Sequence, residues 1–78
     1  MYYVYILKCT NGEYYKSCTS DLRTRYQRHN DGAVPATASN LPVELVFYRA
    51  FNDKYKAFNF EKYLKSGSGI AFMRKRFI

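Results

Sequence analysis

Apolar and polar residues interleave from the first positions of the chain. Residues 2–8, Tyr-Tyr-Val-Tyr-Ile-Leu-Lys, mix aliphatic and β-branched residues with tyrosines and predict a strand. Thr10-Asn11-Gly12 is a turn signal, and Tyr14 to Cys18 reads as the returning strand. A three-residue loop with Gly12 in the left-handed region puts Tyr5 and Tyr15 on the same face. A two-residue Asn-Gly loop would slip the register by one and separate them. The three-residue loop is the expectation.

Further along, Ser20 is the expected N-cap of a first helix, with Asp21 where the helix dipole favours negative charge. This helix runs to about Asn30 and ends at Asp31-Gly32. Residues 33–42 hold both prolines and predict a loop. Val43 to Phe51 predicts a third strand. Asn52 or Asp53 caps a second helix that reaches about Ser66, where Gly67 stops it. Ile70 to Phe77 predicts a short basic helix. The order β-β-α-β-α-α describes an α+β fold, a small antiparallel sheet with helices packed on it.

At 78 residues the chain is expected to form one domain, residues 1–78. Such a domain buries only about 60% of the surface of its unfolded chain, so its core is small. Nine Tyr and six Phe supply large apolar surfaces for that core and argue against disorder. Two cysteines make no disulfide framework. The opening apolar run is far shorter than the roughly 20 residues a membrane span needs, and no targeting segment is visible. The cytoplasm, where thiols stay reduced, is the expected compartment.

The helices carry polar residues on faces that should be apolar. In the first helix Leu22 and Tyr26 define the inner arc, and Arg25 and His29 fall beside them. Arg25 could cover apolar surface with its stem, and His29 could be a cation near a helix C-terminus. In the second helix Ala57, Phe58, Phe60 and Leu64 form the apolar arc, and Glu61 lies inside it. A carboxylate there loses hydration unless it is paired or binds a cation. Its near helical partner is Lys65 at i+4, where a rim ion pair is the plainer reading.

Charge adds a partner class. Thirteen Lys or Arg stand against six Asp or Glu, a net charge of +7. Beyond Glu61 come Lys62, Lys65, Arg74, Lys75 and Arg76 and no acid. A polyanion, nucleic acid before membrane, suits that balance. No Ser-His-Asp arrangement is present, one His and two isolated cysteines cannot build a zinc site, and Gly67-Ser68-Gly69 is not a phosphate loop. Tyr5, Tyr15, Arg25, His29 and Glu61 do suit phosphodiester chemistry. One carboxylate can hold a divalent metal whose other ligands are water and phosphate. An arginine can clamp the phosphate, and a Tyr or His can relay the proton of an attacking water.

These residues carry a resemblance. Tyr3-Val4-Tyr5-Ile6-Leu7, the turn, Tyr14-Tyr15, then Thr19-Ser20-Asp21-Leu22 with Arg25, His29 and Asn30, is similar to the GIY-YIG nuclease superfamily. Glu61 through Gly69 resembles the segment with the family's metal-binding glutamate. Small stand-alone UvrC-like bacterial proteins match in length. The resemblance implies a three-stranded sheet with the first strand central. It implies a nuclease that nicks DNA with Mg2+ or Mn2+, in repair or recombination; so short a chain has little surface for base readout, which leaves a protein partner or a structural substrate as the source of specificity. By position, Tyr5 would be the general base or part of a water relay, and Tyr15 would orient phosphate or water. Arg25 would stabilise the phosphate, His29 would assist proton transfer and Glu61 would bind the metal. Arg25, Lys65, Arg74, Lys75 and Arg76 would contact nucleic acid.

The pattern departs from the family at several places, among them Cys18, where some relatives carry a polar or basic residue. Tyr3 stands where the first motif has glycine, and Lys16-Ser17 stands where the second has an apolar residue and glycine. Ile70 follows Gly69 where relatives often have a basic residue. Two rivals to the nuclease stay open: a module that binds nucleic acid without cutting it, and an interaction scaffold that keeps only the fold.

Overall fold

The computed structural model describes residues 1–77. The elements are β1 (Tyr2–Lys8), β2 (Tyr14–Thr19), α1 (Leu22–Asn30), β3 (Glu44–Phe51), α2 (Lys54–Leu64) and α3 (Gly67–Phe77). The antiparallel sheet has the order β2-β1-β3, so β1 is central and β2 is an edge. The order and class are those the periodicity predicts.

The hairpin closes through the longer loop. The Cys9 amide donates to the Glu13 carbonyl at 2.8 Å, which leaves Thr10, Asn11 and Gly12 in the loop, and Gly12 has φ +85°. The register then pairs Leu7 with Tyr15 and Tyr5 with Ser17. Side chains alternate along a strand, so Tyr5, Leu7, Tyr15 and Ser17 share one face. Tyr5, Leu7, Cys9 and Val43 are buried on that face, beneath Leu22 and Tyr26 of α1. On the other face Val4 and Ile6 pack with Ala57 and Leu64 of α2 and Met73 of α3. The sheet is thus a wall between α1 and the α2–α3 pair.

β3 adds a bulge. Ile6 pairs with Phe47, but Leu7 pairs with Leu45, so Val46 is the extra residue. Val46 and Phe47 both pack with the α2 core, while Leu45 joins the α1 core. A bulge lets two neighbours share a face that strict alternation would split.

The helix ends differ in detail from the expectation. Asp21, not Ser20, caps α1, because Asp21 takes the extended conformation and its carboxylate accepts from the Thr24 amide at 3.2 Å. Of the two candidates for α2, Asp53 is the cap, accepting from the Tyr55 amide at 2.7 Å. The larger correction is at Gly67, which opens α3 rather than merely ending α2. α2 stops at Leu64, and the Ser66 hydroxyl accepts from the Gly69 amide at 3.2 Å to cap the next helix. Gly69 is buried where a β-carbon would overlap the Tyr63 carbonyl and the Leu64 backbone. A glycine at this place lets α3 fold straight back on the end of α2. Phe58 is another correction. It is 44% exposed, so the apolar arc of α2 is narrower than the periodicity suggests.

Candidate active site

The sheet face under α1 gathers four of the five expected residues. Tyr5 comes from the central strand, Tyr15 from the edge strand, and Arg25 and His29 from successive turns of α1. Tyr5 and His29 are both 0% exposed. Arg25 and Tyr15 are half-buried and form the side of the cluster that reaches solvent.

Bond counting assigns the protons. The Tyr5 hydroxyl accepts from Arg25 Nε at 3.3 Å, and the Ser17 hydroxyl lies close enough to favour the ionised phenol. The Tyr5 hydroxyl also meets His29 Nε2 at 2.9 Å, and with the Arg25 donor on one lone pair the phenol can direct its proton to that nitrogen. His29 is left with its proton on Nδ1, which donates to Thr37 Oγ1 at 2.8 Å. The chain Arg25–Tyr5–His29–Thr37 is therefore closed at the buried end by a threonine from the 33–42 loop. Thr37 is fully buried, and the sequence carries no signal for it. Asn30, beside this chain, has a structural task. Its side-chain oxygen accepts from the Val43 amide at 2.9 Å and ties α1 to the start of β3.

Electrostatics keep both rings of the cluster neutral. Burial lowers the His29 pKa below its ordinary value, and the Arg25 charge lowers it further. The imidazole is thus neutral near pH 7, with a ring nitrogen that can accept a hydrogen bond. Burial raises the Tyr5 pKa, opposed by the Arg25 and Ser17 hydrogen bonds, which favour the ionised phenol. The bond to Tyr5 in turn holds the Arg25 pKa above its ordinary value. The Tyr15 ring lies 6.4 Å from Tyr5 and 5.1 Å from His29. Ser17 thus fills the family's glycine position with a hydroxyl that serves Tyr5. Lys16 pairs with Ile6 and belongs to the opposite face, beside Arg74 of α3.

Glu61 is not in this cluster. It sits on α2, across the sheet, and its carboxylate lies near enough to raise the Cys18 thiol after burial has done so. Cys18 follows Ser17 on the edge strand, so Glu61 flanks the outer rim of β2. Its side chain is 24% exposed, at the margin of the apolar arc rather than inside it, and Lys65 Nζ lies 3.4 Å from Oε2. The expected basic residues divide likewise. Arg25 lies in the cluster and Lys65 on Glu61, while Arg74, Lys75 and Arg76 are exposed on α3. The Arg76 guanidinium stacks on Phe72 at 4.0 Å. Among the described residues no three His, Cys, Asp or Glu side chains gather as a metal site, and no helix is long and apolar enough to cross a membrane.

Comparison with known proteins agrees with this architecture. A UPF0213 protein of Lacticaseibacillus paracasei is 40% identical over 65 residues, covering 82% of this chain and 73% of the relative. The UPF0213 protein YazA of Bacillus subtilis is 37% identical over 65 residues, covering 82% of this chain and 66% of YazA. The solution structure of a UPF0213 protein from Bacillus halodurans superposes with a TM-score of 0.60 at 32% identity, over 96% of this chain and 84% of that one. The family model described as the GIY-YIG catalytic domain matches residues 1–71, and the chain belongs to that family of nucleases.

Proposed function

We propose that this protein is a metal-dependent endonuclease that nicks DNA, with Tyr5, Tyr15, Arg25, His29 and Glu61 as its site. The observation that carries the reading is the buried chain from Arg25 through Tyr5 to His29. A guanidinium, a phenol and a neutral imidazole in series have little structural reason to share a small core. Together they bind an anion and move a proton.

Arg25 receives the scissile phosphate, since its charge is not offset by any carboxylate in the cluster, and stabilises the negative charge that builds there. Tyr15, half-buried beside Arg25, orients phosphate or water. Tyr5 gives its own proton to His29 Nε2 as it takes one from the attacking water, a step that requires the site to open because Tyr5 is wholly enclosed, and Thr37 holds the ring for that transfer. Ser17 and Arg25 stabilise the phenolate while it exists. Glu61 fits a metal that keeps most of its own waters, because it is a single hard oxygen donor with one oxygen on Lys65. Mg2+ or Mn2+ held by Glu61 would supply Lewis-acid stabilisation of phosphate oxygens.

The test is nicking of supercoiled plasmid. Wild-type protein is expected to relax it with Mg2+ or Mn2+, and Glu61→Ala to abolish this while keeping the wild-type circular dichroism. Plasmid left intact by wild-type protein with either metal removes the enzymatic reading. The enclosure of Tyr5 favours a second reading, a module that binds DNA without cutting it. That reading requires salt-dependent binding in the same preparation.

A further inference from the structure

Beside the buried cluster, on the same sheet face, an open groove of about 570 Å³ runs between α1 and β3. Its walls are Tyr3, Tyr48, Leu45, Leu22, Tyr26 and Arg23. The Tyr48 side of the groove is unusual for so small a protein. Tyr48 is 56% exposed on a sheet face, and its ring stands 6.4 Å from that of Tyr3. Tyr48 is also the cross-strand partner of Tyr5, and Tyr3 lies two residues along the same strand, about 7 Å away. The groove therefore starts where the cluster ends.

The chemistry of the walls selects an occupant. Two tyrosine rings and Leu45 offer apolar and π surface. Arg23 is exposed at the rim and offers a cation there, while Arg25, two residues on, turns to the other flank of α1 and to Tyr5. Asp21 also lines the groove; its carboxylate is engaged by the Thr24 amide and hydroxyl as the cap of α1 and lies near enough to Arg23 to feel its charge. Tyr26 has its hydroxyl on the Val43 carbonyl, so it lines the groove as a ring. A flat aromatic body joined to an anion fits this set. A base inside a duplex has both faces covered by its neighbours and cannot lie on a protein ring, whereas an unpaired base can.

We propose that this groove is a subsite for one unpaired nucleotide, its base stacked on Tyr48 with Tyr3 against its edge, and its phosphate on Arg23. The proposal rests on the nucleic-acid reading of the neighbouring cluster and narrows it. The strand bound there is single-stranded for at least one nucleotide beside the phosphate at Arg25.

The experiment is fluorescence polarisation with the full chain, without metal, using a labelled oligothymidylate and a labelled blunt duplex of equal length. Tyr48→Ala is expected to weaken binding of the single strand by about tenfold to a hundredfold, the range for removal of one base–aromatic stack. Tyr48→Phe should restore it, because the ring and not the hydroxyl stacks. Duplex binding should not change, and Tyr55→Ala, an exposed tyrosine on α2, should behave as wild type. Arg23→Ala should lower the salt slope by about one, whereas Tyr48→Ala should leave it unchanged. The proposal is overturned if Tyr48→Ala matches Tyr55→Ala, if it weakens both probes equally, or if wild-type protein binds neither. It is also overturned if Tyr48→Ala changes the sedimentation of the protein and not its DNA affinity, which would make the groove a contact between copies. Stacking-dependent binding by a protein that never nicks plasmid would uphold the subsite and remove the nuclease. Nicking that survives with Tyr48→Ala inert would do the reverse.

Discussion

A fully buried histidine is the residue on which the site turns. His29 is fully buried between Tyr5 and Thr37, with the Tyr15 ring and the Arg25 charge as its other neighbours. Protonating it would place a second cation beside Arg25 and break the bond it accepts from Tyr5. The folded pKa is accordingly below the ordinary value near 6.5. Above pH 6.5 neither the folded nor the unfolded state holds the proton, and the full stability is present. Below it the unfolded chain takes up a proton that the folded one refuses, so stability falls toward the folded pKa. For one proton the slope is at most about 1.4 kcal/mol per pH unit. Urea unfolding of wild-type protein between pH 7.5 and pH 5 should show this loss, and His29→Gln should flatten it.

Pairs of elements meet through single residues with definite tasks. The bulge in β3 turns Leu45 and Tyr48 to the α1 side while Val46 and Phe47 stay with α2. α3 returns across α2 because Gly69 presents no side chain at the crossing. Gly69→Ala would force two backbones apart and pull Met73 from the core it shares with Val4 and Leu64. The expected cost is about 1–3 kcal/mol, as for other overpacked sites, read as a lower urea midpoint with unchanged slope. Gly67→Ala is the control. A β-carbon at Gly67 meets nothing, so this change should be neutral or slightly stabilising.

At the scale of the molecule, the positive charge lies on both sides of the wall. Arg23 and Arg25 stand on the α1 side, and Arg74, Lys75 and Arg76 on α3. The proposed site needs a strand that passes the β2 edge, where Glu61 flanks one side and Tyr15 the other. Arg74 lies near Tyr14 and Lys16 of that edge strand, so α3 is placed to hold the strand's flanking phosphates. Changing Arg74, Lys75 and Arg76 together to Ala should reduce the salt slope of duplex binding by about 0.9 for each phosphate these side chains neutralise. Nicking at saturating DNA should change little, because Arg25 and Tyr5 are untouched. An unchanged slope would assign the α3 charge to solubility.

The chain's own pattern carries the strand order of the hairpin and the placing of Tyr5 and Tyr15 on one face. Both follow from a loop of fixed length and a period of two, which are local quantities. The polar intrusions at Arg25, His29 and Glu61 are legible for the same reason, since a helix repeats within a few residues. What local rules could not supply is decided in three dimensions. Thr37 closes the proton chain from a loop with no periodicity, and only the packing of that loop under α1 brings it to His29. The bulge at Val46 moves Tyr48 to the groove, and α3 starts at Gly67 because its fit on α2 outweighs the low helix propensity of glycine. Glu61 stands apart from the cluster because the sheet lies between α1 and α2, and no spacing along one helix can tell on which side of a sheet that helix will pack.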